Sequence, residues 1–321
     1  MGESHSNVPD SYWRALLEFA SRVGASDPVN TTESRVMQMT DEDRQFLQDA
    51  MRQFVNTSDP VKQMCSHVQV LCELNAVNPT DDEKRKAIVA FEALLDLCDD
   101  LDLATDFHKI GAFRIIPTYM QSSHAEFRAN IARLIAVLSQ NHDYCQTKLR
   151  EAGVLELLLE LIQIETDEST KCAVLSAISG MVRSNGPNKQ LFIELNGFER
   201  LLLALRSSPD NERFVAKIAF FFTQMVANEE ARSTLIDLGL FESAITLLKS
   251  TEPNSTAREN LLKLLCALSE SDNMKASDDQ IRDLCVLLRR IEDDADSIEE
   301  HRGSAATLLK KFSQPSVGAD R

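Results

Sequence analysis

Four long apolar stretches of this 321-residue chain carry the side chains best equipped for chemistry: Arg128, Asn130 and Arg133; Lys171, Ser176 and Arg183; Lys217 and Gln224; and Arg258, Glu259 and Lys263. All are hydrogen-bonding or charge-pairing groups that a purely buried helix would not carry. Their types and spacing suit recognition of another polar surface rather than the making of bonds. The usual signatures of bond making are absent: there is no glycine-rich phosphate loop, no HExxH, no GxSxG and no run of acidic metal ligands. The six histidines (His5, His67, His108, His124, His142 and His301) are scattered, and none has the i, i+4 partner of a helical metal site. His108 and His142 are expected at helix ends or on the surface. The expectation is a chain without enzymatic activity, cofactor or metal.

The elements that must position these groups form a repeat between about Glu83 and Ser269. Gly111, Gly153, Gly197 and Gly239 recur at steps of 42, 44 and 42 residues, inside the roughly 40 to 47 of armadillo and HEAT units. Four residues before each stands Phe107, Leu149, Ile193 or Leu235, and one residue after stands Ala112, Val154, Phe198 or Leu240. The fifth and eighth positions after are also apolar, which marks one face of a helix. Each glycine is expected to end the preceding helix by adopting the left-handed conformation. Long helices are predicted over about Glu83–Cys98, Phe127–Ser139, Thr170–Arg183, Phe214–Val226 and Ala257–Ser269, with their polar positions aligned along a concave wall. The fold class is all-α: an armadillo/HEAT-like right-handed superhelical solenoid with about four central repeats and helical caps.

The organisation follows from this phase. Residues 1–38 read as a flexible segment with a short amphipathic helix bearing Trp13, Leu16, Leu17 and Phe19, tethered by the polar stretch 24–39. Residues 39–80 form an amino-terminal cap of two helices, Glu42–Phe54 and Pro60–Leu74. The repeats fill 81–276, opened by the capping box Thr80-Asp81-Asp82-Glu83. A second cap over 277–313 opens at Ser277-Asp278-Asp279-Gln280, and 314–321 is expected to be a disordered tail.

A formal charge of -16 argues against nucleic acid and anionic membranes as partners. No apolar run reaches the length of a membrane span, and the first ten residues lack a signal-peptide core. Met1-Gly2-Glu3-Ser4-His5-Ser6 fits the loose N-myristoylation pattern, which arises often by chance. The seven cysteines (Cys65, Cys72, Cys98, Cys145, Cys172, Cys266 and Cys285) are odd in number and lack metal spacing, so they read as small reduced core residues of a cytoplasmic monomer.

The run Met39-Thr40-Asp41-Glu42-Asp43-Arg44-Gln45-Phe46-Leu47-Gln48-Asp49-Ala50-Met51 resembles the opening of the core domain in the cytosolic heat-shock-protein-70-binding proteins, the armadillo-type nucleotide exchange factors of 70-kDa chaperones. Further similarities follow the repeat phase: Leu94-Leu95-Asp96-Leu97-Cys98 with Ala104-Thr105-Asp106-Phe107, Ser139-Gln140-Asn141, Ala177-Ile178-Ser179 with Val182-Arg183, Leu195-Asn196-Gly197-Phe198, and Lys217 with Ala219-Phe220. They span roughly residues 10 to 290. Leu103 departs from the pattern, which has a polar Asn there.

The resemblance implies a concave face that embraces one lobe of a chaperone's nucleotide-binding domain and accelerates ADP release. It points to Arg128, Gln140, Asn141, Arg183, Lys217, Gln224 and Glu259 as contacts. It also implies that Trp13, Leu16, Leu17 and Phe19 mimic a client in the chaperone's substrate groove. An endoplasmic-reticulum relative is disfavoured because signal peptide and retention tail are both missing. The alternative is a general armadillo scaffold for an extended peptide. That mode wants a ladder of Trp and Asn along the groove, whereas Trp13 is the single tryptophan and precedes the repeats.

Overall fold

The computed structural model describes residues 59–271 and 276–313, with Gln45 alone before them. The expected amino-terminal helix with Trp13, Leu16, Leu17 and Phe19, the tether, the Glu42–Phe54 helix, the Gly2 pattern and the tail 314–321 lie outside the described residues. Among the described residues every regular element is helical. In chain order these are α1 (Pro60–Glu73), α2 (Asp81–Cys98), α3 (Leu101–Lys109), a 3-10 turn (Ala112–Arg114), α4 (Ile115–Met120), α5 (Ala125–Ser139), α6 (Asp143–Glu151), α7 (Val154–Ile164) and α8 (Glu168–Val182). There follow α9 (Gly186–Glu194), α10 (Gly197–Arg206), α11 (Glu212–Met225), α12 (Glu229–Asp237), α13 (Leu240–Ser250), α14 (Thr256–Leu268), α15 (Asp278–Asp293) and α16 (Glu299–Ser313).

Local chemistry sets the helix starts. Thr80 Oγ1 accepts from the Glu83 backbone N–H at 3.3 Å, and the Glu83 carboxylate accepts from Thr80 N–H at 2.7 Å, so the expected capping box opens α2. Ser277 and Gln280 do the same for α15. Asp100, Asp167, Asn185, Asn211, Asn228 and Ser255 accept first-turn N–H groups of α3, α8, α9, α11, α12 and α14.

The helices group into three-helix units, α3–α4–α5, α6–α7–α8, α9–α10–α11 and α12–α13–α14, flanked by α1 and α2 on one side and α15 and α16 on the other. The third helix of each unit packs on the next, so α2, α5, α8, α11 and α14 make one continuous wall. A single apolar core runs beneath it from Met64 to Leu309. Leu103, the departure from the family pattern, packs half-buried against that core, which accounts for an apolar residue there.

The third unit is phased differently from the glycine spacing. Gly111, Gly153 and Gly239 have φ of 76°, 69° and 82°, as expected, but at Gly197 the left-handed residue is the preceding Asn196, φ 56°. The true steps are 42, 43 and 43 residues. The core column shifts with it: Phe192 is fully buried, while Ile193, expected inside, is 39 % exposed. Gly197 is needed for space instead. A Cβ there would lie 2.3 Å from the Phe192 ring, and that ring is fixed edge-on against Phe198 and Phe221. Gly197→Ala is expected to destabilise the chain by about 1–3 kcal/mol through overpacking, read as a fall in denaturant midpoint at unchanged slope.

The cysteine expectation needs correction. Cys98, Cys145 and Cys172 are buried and Cys266 and Cys285 partly so, but Cys65 and Cys72 lie exposed on α1. Their places fall off the helix's Met64, Val68 and Leu71 stripe. Burial pushes the Cys98 and Cys145 thiols up to about 12, which leaves them inert at neutral pH.

Candidate functional site

Charged residues on the wall fall into two sets according to where they sit along the third helices. Arg128, Lys171 and Arg258, in the first turns of α5, α8 and α14, are turned inward. Arg128 on α5 donates from Nε and Nη2 to the Glu165 carboxylate at 2.7 and 2.9 Å, and from Nη1 to the Ser122 carbonyl at 2.8 Å. Glu165 is buried, and it also accepts the backbone N–H groups of Thr166 and Asp167 at 2.9 Å each. Burial by itself would raise the Glu165 pKa; the Arg128 hydrogen bonds and the two N–H donors outweigh it and hold the carboxyl below its ordinary value. Arg258 on α14 likewise donates to the Thr251 carbonyl at 2.7 Å. Arg128, expected on the contact surface, is therefore a staple between units, because its guanidinium is consumed by a buried carboxylate and a loop carbonyl.

Arg183 and Lys217, further along, face a groove. One hollow of about 350 Å³ crosses α5, α8, α11 and α14 and is lined by Gln140, Ser176, Arg183, Lys217, Phe220 and Asn260 among others. A second, of about 440 Å³, adjoins it at the ends of these helices, with Gln140, Asn141, Arg183, Ser184, Lys189 and Gln224 on its walls. Five of the seven expected residues, Gln140, Asn141, Arg183, Lys217 and Gln224, are thus brought together. Glu259 is not among them; it pairs with Lys263 one turn along α14. Lys217 is oriented by donation from Nζ to Ser176 Oγ at 2.9 Å, while Arg183 is exposed and finds no side-chain partner among the described residues.

A buried amide network holds the groove's rim. Gln146 on α6 donates from Nε2 to the carbonyls of Ser139 and Gly180 at 2.9 Å each and accepts at Oε1 from Asn185. Asn188 on α9 donates to Met181 and Gln146 carbonyls at 2.8 and 3.2 Å. These bonds tie the ends of α5 and α8 to the units that follow and so place Gln140–Asn141 and Arg183–Ser184. Asn141 and Ser184 both have positive φ, 53° and 61°, a conformation that Asn accepts more readily than Ser. The lack of a side chain at Gly180 lets α5 and α8 approach closely here, since a Cβ there would lie 2.5 Å from Ser139 Oγ.

Phe220 was not among the expected contacts. It is 46 % exposed inside the groove while its neighbours Phe221 and Phe222 are buried. The signal was present: three consecutive helical residues sweep about 200° of arc, so three phenylalanines in a row cannot all face one core. Asn260, which donates to the Ala216 carbonyl at 2.9 Å, and Lys189 also went unnoticed.

The arrangement suits recognition by a preformed cationic and amide-rich groove with one exposed aromatic, Phe220. Among the described residues no group of three or more His, Cys, Asp or Glu could hold a metal ion, and no helix is long and apolar enough to cross a membrane.

Stacked three-helix units with a groove along the third helices define an armadillo-like binding protein. Among solved structures, the computationally designed armadillo repeat proteins for modular peptide recognition align with a TM-score of 0.57 at 18% identity, covering 77% of this chain and 98% of theirs. Residues 103–238 match the SIL1/FES1/HPBP1 C-terminal domain. The chain is 29% identical over 269 residues to Hsp70-binding protein 1 of Homo sapiens, which spans 81% of this chain and 72% of that protein. To Hsp70 nucleotide exchange factor FES1 of Saccharomyces cerevisiae it is 24% identical over 233 residues, 70% of this chain and 79% of that one. The chain is thus similar to Hsp70-binding protein 1 and FES1 over most of its length and to the SIL1/FES1/HPBP1 C-terminal domain over its central part.

Proposed function

We propose that this protein is a co-chaperone that binds the nucleotide-binding domain of a cytosolic 70-kDa heat-shock chaperone and accelerates ADP release. The similarity to Hsp70-binding protein 1 and FES1 supports the class of partner, and the groove across four third helices is the observation that carries the reading. Gln140, Asn141, Arg183, Lys217, Gln224 and Phe220 would grip one lobe of that domain. Exchange follows from differential binding. A stiff wall that fits the lobe only when the nucleotide cleft is open favours the open, nucleotide-free state, and only that difference in affinity shifts the equilibrium. Accelerating release 100- to 1000-fold requires about 3–4 kcal/mol of such preference. The chain acts by binding alone, as a monomer. Trp13, Leu16, Leu17 and Phe19 would occupy the chaperone's substrate groove and help release clients.

Stopped-flow release of fluorescent ADP from a cytosolic 70-kDa chaperone tests the proposal. The rate is expected to rise with protein concentration to a plateau at least 100-fold above the intrinsic rate; a rate that does not change at saturation refutes it. The reading as a peptide scaffold lacks support in the groove, whose described lining contains no tryptophan.

A further inference from the structure

The staple formed by Arg128 and Glu165 has a counterpart one unit on that lacks its anion. Lys171 occupies on α8 the place of Arg128 on α5, and in each case the partner lies 37 residues further along the chain. Arg128 meets the Glu165 carboxylate; Lys171 meets only the Ser208 hydroxyl, donating from Nζ to Oγ at 2.6 Å. Lys171 is 6 % exposed, and its ammonium sits 5.7 Å from the centre of the Phe214 ring and has no carboxylate within ion-pair distance among the described residues. Such a site leaves a desolvated cation short of acceptors. Desolvation accordingly lowers the Lys171 pKa, with the more distant Glu165 opposing it.

Beside this ammonium is a space of about 210 Å³ walled by Thr166, Ser207, Ser208 and Asn211. Asn211 is 95 % buried, and its Nδ2 has no acceptor among the described residues although its Oδ1 caps the Phe214 N–H. Ser208 is half-buried, but its neighbours Ser207, Pro209 and Asp210 are exposed in the turn between α10 and α11. A Ser-Pro pair in an exposed turn is the substrate form of proline-directed serine kinases. Against an anion stand Glu168 and Asp210, whose side chains line the same space. A freely diffusing anion would be opposed by them, whereas one attached to Ser208 Oγ is delivered next to Lys171.

We propose that Ser208 is a phosphorylation site, and that its phosphate takes beside Lys171 the place that the Glu165 carboxylate takes beside Arg128. A proline-directed kinase transfers the γ-phosphoryl group of ATP to Ser208 Oγ: the Oγ–P bond forms as the bond to ADP breaks, and the hydroxyl proton passes to the kinase's base. The dianion then accepts charge-assisted hydrogen bonds from Lys171 and clamps the second unit to the third.

Two measurements on the full chain test this. Incubation with ATP and kinases of the mitogen-activated and cyclin-dependent classes, followed by mass mapping, is expected to place phosphate on Ser208 and to lose it in Pro209→Ala; absence of phosphate on Ser208 with every kinase overturns the site. Chain carrying genetically encoded phosphoserine at 208 is expected to melt roughly 2–4 °C above the unmodified chain, with the gain abolished by Lys171→Met. A gain that survives that substitution, or no gain, overturns the pairing. Should Lys171→Met fail to fold, phosphorus NMR of the phosphorylated chain decides: the second phosphate pKa must fall below its value in the urea-unfolded chain. An equal or higher value means that Glu168 and Asp210 dominate and the pairing is wrong.

Discussion

Replacing Arg183 and Lys217 together by alanine is expected to weaken binding to the chaperone's nucleotide-binding domain by roughly 30- to 150-fold, equivalent to about 2–3 kcal/mol for two charged hydrogen-bonding groups. Titration calorimetry measures the loss. Circular dichroism and Tm are expected to stay unchanged, because Arg183 is exposed and has no side-chain partner among the described residues, and Lys217 gives up its bond to Ser176. Most of the loss belongs in the dissociation rate if the two cations lie at the centre of the contact, as their position across the groove indicates. Unaltered affinity would remove the groove from the mechanism, and a broadened or lowered melt would show that these side chains hold the fold instead.

Arg128→Ala is expected to have the opposite signature: large loss of stability, with groove chemistry intact. It strands a carboxylate whose side chain is 0% exposed, and removal of one partner from such a pair costs about 3–5 kcal/mol. At roughly 2–4 °C per kcal/mol the melt should fall on the order of 10 °C. The sign with pH discriminates this cause from lost packing. Because Glu165 titrates below its ordinary 4.5 in the folded chain, the stability it contributes is fully present above that value and is lost as pH falls through the folded value. The penalty of Arg128→Ala should therefore shrink on acidification, as protonation relieves the stranded charge, and the shrinkage should begin at higher pH than Glu165 titrates in the intact chain, because without Arg128 burial raises the carboxyl's pKa. Replacing both partners with methionine should recover most of the melt; failure to recover it would assign the loss to packing.

These two arginines show how far the sequence could be read. The repeat, its long third helices and its helix starts were legible because apolar periodicity and capping residues are local signals, as at Thr80–Glu83. Arg128 and Arg183 carry the same charge on equivalent helices, and nothing local separates them. The difference arises from Glu165, 37 residues away in sequence, which only the stacking of units brings into contact. The same holds for Gln146 and Asn188, whose roles depend on the carbonyls at the ends of α5 and α8 that their amides reach only once the units are stacked. The misphased third unit has a related origin: Asn and Gly both tolerate positive φ, so Asn196-Gly197 offers two places for one turn and the ring of Phe192 decides between them.

The one-residue slip at Asn196 bears on engineering. Chimeras and consensus arrays are cut most naturally at the glycines, yet a splice at Gly197 would join this unit to a neighbour out of step and present Ile193 where Phe192 belongs. Interchangeable modules must instead be bounded at the left-handed residue, whichever amino acid supplies it.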